Sequence, residues 1–107
     1  MHKGNFIIVK AKISLKSAAE GGRQEGIYTK FRPNHLFEMP AEGERMCTFV
    51  GEIQFTEKEQ LLPGESIIAT VTFIDVPIIR PYIKPGQKWF INQAIINVGY
   101  GEILEII

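Results

Sequence analysis

A chain of 107 residues builds one domain, residues 1–107, around one core; it buries roughly 65% of its unfolded surface and leaves no room for a nucleotide-hydrolysing domain beside a second module. Twelve basic and twelve acidic side chains cancel, which argues against recruiting nucleic acid by bulk charge and leaves only a local patch open. The single cysteine, Cys47, excludes an internal disulfide and fits a reducing, cytoplasmic setting. The short apolar run from Phe6 to Val9 gives way to Lys10 and Lys12, so no signal peptide is expected, and no stretch approaches the about 18 apolar residues of a membrane span.

Residues 5–15 alternate from Val9 onward, with Val9, Ala11, Ile13 and Leu15 on one face and Lys10, Lys12 and Ser14 on the other. This is the period of a half-buried strand. Residues 16–26 hold charges and three glycines and read as a loop. A short strand is expected over 27–30 and a strand or half-strand over 34–39, with Leu36 and Phe37 in the core and His35 half-exposed. Residues 45–55 predict a strand with Cys47, Phe49, Ile53 and Phe55 facing inward. Gly51 in its middle suggests a bend or a close backbone approach. Pro63-Gly64 and Pro85-Gly86 mark turns with glycine at the third position.

Residues 65–76 are rich in β-branched side chains and form the clearest strand. Ile67, Ala69, Val71 and Phe73 make one row. Asp75 continues that apolar phase, so it must pair, cap a turn or leave the sheet. Residues 88–93 and 96–107 are the last two strands. Trp89 and Phe90 face opposite sides, so one joins the core and the other can face a partner. Gly99 and Gly101 share a face and invite close packing. Six or so antiparallel strands with short connections close into a barrel or stack as a sandwich, and the pattern alone does not separate the two.

Catalytic signals are sparse. His2 and His35 lie far apart, the serines have no nucleophile-elbow context, and the phosphate loop GxxxxGKS/T is missing. Neither a metal nor another cofactor is expected. A phosphate-contacting surface has candidates in Lys10, Lys12, Arg23 and Arg32. Residues 20–65, however, hold nine acidic and five basic residues.

The run Glu20-Gly21-Gly22-Arg23, followed by Phe31-Arg32-Pro33, resembles the C-terminal (third) domain of bacterial translation elongation factor Tu, whose wording is E-G-G-R and then G-Y-R-P. Leu62-Pro63-Gly64-Glu65 looks like that family's M-P-G-D turn. Residues 73–78 resemble its L-I-x-P-I stretch, with one extra residue. Gly86 to Gly101 matches its G-L-R-F-A-I-R-E-G-G-R-T-V-G-A-G in length. The resemblance implies a closed six-stranded antiparallel barrel without GTPase activity of its own. It also implies a translation-associated module that touches tRNA and an exchange factor.

The departures fall on the hairpin. The family's R-E-G-G-R becomes Asn92-Gln93-Ala94-Ile95-Ile96, which removes both arginines and both glycines. The expected function is therefore a non-catalytic protein-interaction barrel, bound to a partner protein or to itself. The alternative is an RNA (tRNA)-binding accessory domain. Candidate contacts are Lys10, Lys12, Glu20, Gly21, Gly22, Arg23, Phe31, Arg32, Asn92, Gln93, Ile95 and Ile96. No membrane and no small-molecule substrate is expected.

Overall fold

Alternation of β-branched and polar residues produces long strands wherever it persists. β1 (Phe6–Leu15), β6 (Ser66–Ile74) and β8 (Ile96–Ile106) are the three longest. Between them lie β2 (Ile27–Tyr28), β3 (Asn34–Leu36), β4 (Phe49–Gln54), β5 (Gln60–Leu61) and β7 (Lys88–Gln93). The computed structural model describes residues 5–107, so His2 lies outside the described residues. No helix among them is long and apolar enough to cross a membrane.

The strands close in the order β1-β6-β4-β3-β7-β8, a six-stranded barrel. Every pairing in it is antiparallel, and β8 pairs back onto β1, so the ring closes and the expected barrel, not the sandwich, is present. Closure leaves the barrel with no free edge. β2 and β5 form a separate two-stranded sheet beside it. β5 was not expected, since two residues carry no periodicity.

The inward rows are those the alternation marks. Val9, Ala11, Ile13 and Leu15 from β1 meet Ile67, Ala69, Val71 and Phe73 from β6, all buried. Glycines let the core come close. A Cβ on Gly101 would stand 2.3 Å from the Trp89 ring, and one on Gly51 would stand 2.8 Å from Phe73. Trp89 is the core partner of the Trp89–Phe90 pair. Asp75 leaves the sheet at the end of β6 and binds Arg80 through both carboxylate oxygens, at 2.8 and 3.3 Å. Both Pro-Gly turns form, with backbone bonds from Glu65 to Leu62 and from Gln87 to Lys84.

Two expectations need correction. His35 is fully buried rather than half-exposed. A three-residue strand flanked by turns offers no alternation from which its facing can be read. Cys47 is exposed rather than core-facing. β4 begins only at Phe49, so the alternation of the strand does not extend back to residue 47.

Candidate interaction surface

The loop after β1 is shaped by its own residues. Ser17 and Glu20 form a reciprocal cap on a single 3-10 turn, Ala18–Glu20, and Gly21 closes it with φ +90°. The Ser17 backbone and hydroxyl hold the Glu20 carboxyl below the usual carboxylate range. Gly22 rests against the backbone of Lys16 and Ser17, where a Cβ would stand 2.6 Å from the Lys16 carbonyl. Glu20, Gly21 and Gly22 thus build the connection. Glu20–Arg23 lies outside every strand, as expected.

Arg23 ties this loop to the barrel. Its Nε donates to the Glu25 carbonyl at 3.1 Å, and Nη2 donates to the Gly26 carbonyl at 3.3 Å. Nη1 donates to Oε1 of Gln93, at the end of β7. The guanidinium also lies 5.1 Å from the centroid of the Phe31 ring. Three predicted residues are therefore brought together through one of them, since Arg23 contacts both Phe31 and Gln93.

The β7–β8 hairpin carries the apolar surface. Asn97 fastens its base, donating through Nδ2 to the carbonyls of Ile91 (3.2 Å) and Gly99 (2.9 Å) and to Oδ1 of the buried Asn92 (3.2 Å). Ala94 turns the chain with φ +51°, a conformation that favours glycine. Beyond it Ile95 is 86% exposed and Ile96 57% exposed. Met39 and Met46, at 62% and 42%, are also exposed; with Phe90 and Ile95 they line one small depression. Sequence reading missed the two methionines because they sit in an irregular connection. An exposed methionine pair beside an aromatic is the signal that could have found them.

The basic candidates other than Arg23 lie elsewhere. Lys10 and Lys12 point outward from β1, opposite Glu105 and Glu102 of β8. Arg32 pairs with Glu52 at 2.7 Å. The Glu52 carboxyl is held low by that bond and by Gln54. Carboxylates are thus interleaved with these cations, which dilutes any field they present to a phosphate chain.

His35 sits in the core. Its Nδ1 accepts from the indole Nε1–H of Trp89 at 2.8 Å, and its Nε2 faces the Gly51 carbonyl at 3.0 Å. The ring is therefore neutral with the proton on Nε2. Burial pushes its pKa down to about 4. Among the described residues, no group of three or more His, Cys, Asp or Glu side chains is placed to hold a metal ion. No family model matches the sequence.

Proposed function

We propose that this barrel is a non-catalytic interaction module that binds a partner protein, or a second copy of itself, through the β7–β8 hairpin tip. One observation carries the reading: two adjacent isoleucines, Ile95 and Ile96, project at 86% and 57% exposure from a hairpin whose base is tightly bonded. A rigid apolar tip loses little entropy on docking. Met39 and Met46 beside it supply adaptable contact area. The resemblance to the third domain of elongation factor Tu supports the same reading, since that domain works by packing against other protein domains. The titratable core residue, His35, is committed to Trp89 and Gly51 and offers no proton to a substrate.

The test is affinity capture from the cell's own lysate with wild type and with Ile95→Glu/Ile96→Glu, using a second tag to detect self-association. Wild type retains a protein that the variant loses. Equal retention by both overturns the proposal.

The translation resemblance favours a second reading, an RNA-binding accessory. Lys12 and Lys88 flank one strand of the outer face and are its best cationic support. Arg23 is engaged by Gln93 and Arg32 by Glu52. A tRNA gel shift at low salt, repeated with Lys12→Glu/Lys88→Glu, decides it. Binding that this variant abolishes favours the accessory role, whereas no binding removes it.

A further inference from the structure

The depression beside the β7–β8 hairpin has a volume of about 150 Å³. Leu36, Met39, Met46 and Phe90 line it, and Ile95 forms its lip. Its two polar lining residues, Asn92 and Asn97, are bonded to each other at 3.2 Å. An apolar hollow of that volume takes a group of about the size of benzene, which the side chain of isoleucine does not exceed. Ile95 itself stands almost wholly in solvent. One face of the molecule thus carries an apolar knob and, next to it, a hollow of matching size.

This juxtaposition selects a second copy of the chain as the occupant. Where a knob and its hole lie side by side, a two-fold rotation between them seats each knob in the other molecule's hole, and both contacts form at once. Charge permits the pairing. A two-fold axis sets like against like at its centre, and none of the side chains lining this hollow is ionisable. Glu38 and Arg45, which adjoin Met39 and Met46 in sequence and are exposed, are of opposite sign. The chain as a whole is neutral, so two copies do not repel one another. The area is sufficient as well. Ile95, Ile96, Met39 and Met46 together expose roughly 500 Å², close to the apolar share of the about 800 Å² that each partner brings to a standard interface.

We propose that the chain forms a two-fold symmetric dimer in which Ile95 of each copy fills the hollow between Met39, Met46 and Phe90 of the other. The proposal rests on the hairpin reading above and names its partner as a second copy. Ile96 and the methionines cover the seated side chain and exclude water from it.

Sedimentation equilibrium of the full chain from about 10 μM to about 1 mM tests it. The wild-type mass should rise from 12.1 kDa toward twice that value. Ile95→Glu and Met46→Glu, both at exposed positions outside the core, should each weaken the dimer by about tenfold or more. Ile74→Glu serves as the control, since Ile74 is an exposed apolar residue on β6, three strands from β7 around the barrel, and should leave the dimer unchanged. Mixed in equal amounts, the Ile95→Glu and Met46→Glu chains should associate more strongly than either does alone, because the mixed pair keeps one intact knob facing one intact hole. A mass that stays at one chain throughout overturns the proposal. So does a dimer that Ile74→Glu dissociates and Ile95→Glu does not, or a mixture no stronger than its components. If wild type stays monomeric while lysate capture is still lost in Ile95→Glu/Ile96→Glu, the second copy falls and the hairpin reading stands.

Discussion

The indole Nε1–H of Trp89 donates to Nδ1 of His35 across 2.8 Å of buried core. The histidine in turn reaches Gly51, and its ring packs edge-on against Phe73 with centroids 5.0 Å apart. Three strands, β3, β4 and β7, are cross-braced by this one imidazole. Protonation would place an N–H where Trp89 already points one, so the bond cannot survive the charged form.

The consequence is a pH dependence with a definite sign. The folded state holds the His35 pKa at about 4, below the ordinary value of 6.5. The neutral ring therefore contributes its full stability above pH about 6.5 and loses it as the pH falls toward 4. Wild type should lose about 2 kcal/mol between pH 7 and pH 5, measured by urea denaturation. The window lies above the range of the hydrogen-bonded carboxylates Glu20, Glu52 and Glu65, whose pKa values are all lowered. His35→Gln should flatten the slope in this window. An unchanged slope would assign it to another group.

Gly101→Ala should destabilise the barrel by about 1–3 kcal/mol. The new methyl would stand 2.3 Å from the ring of Trp89, which is bonded to His35 and packs against Phe37, so the ring or the strand must shift. A shift in the emission of the only tryptophan should accompany the loss. Tolerance of alanine without either change would mean that the packing is looser than described.

Ala94→Gly should act in the opposite direction. Ala94 holds φ +51° in the hairpin turn, where the resembled family carries glycine. Glycine removes the steric cost at the expense of some chain entropy, for a net gain of up to about 1 kcal/mol. Thermal melts read the difference, and a decrease in stability would contradict the assigned turn.

Arg23→Ala should release the loop while sparing the barrel. It removes three donated hydrogen bonds and the stacking on Phe31, at a cost of about 1–3 kcal/mol. Faster amide exchange confined to residues 16–26 and the hairpin is the expected signature. Exchange that rises through β1 and β6 would show that the loop supports the whole fold.

The long strands were legible because alternation over nine or more residues in β1 and β6 outweighs any local ambiguity. The glycine approaches at Gly51, Gly99 and Gly101 were readable for the same reason, since their phase within a strand gives their facing. His35 was not. Its burial depends on Gly51 and Trp89, 16 and 54 residues away, and no local pattern announces either contact. The candidate residues proved of two kinds. Glu20, Gly21 and Gly22 shape a turn, and Arg23 clamps it, while Ile95 and Ile96 are left facing outward. A one-dimensional motif cannot tell a residue that builds a loop from one that a loop presents.

Hydrogen–deuterium exchange on the associated state, compared with the Ile95→Glu/Ile96→Glu protein, tests the central claim most directly. The account predicts protection on association at residues 94–97 and around Met39 and Met46, with the remainder of the barrel unchanged. Protection confined to another face, or none at the hairpin when a partner or a second copy is bound, would contradict it.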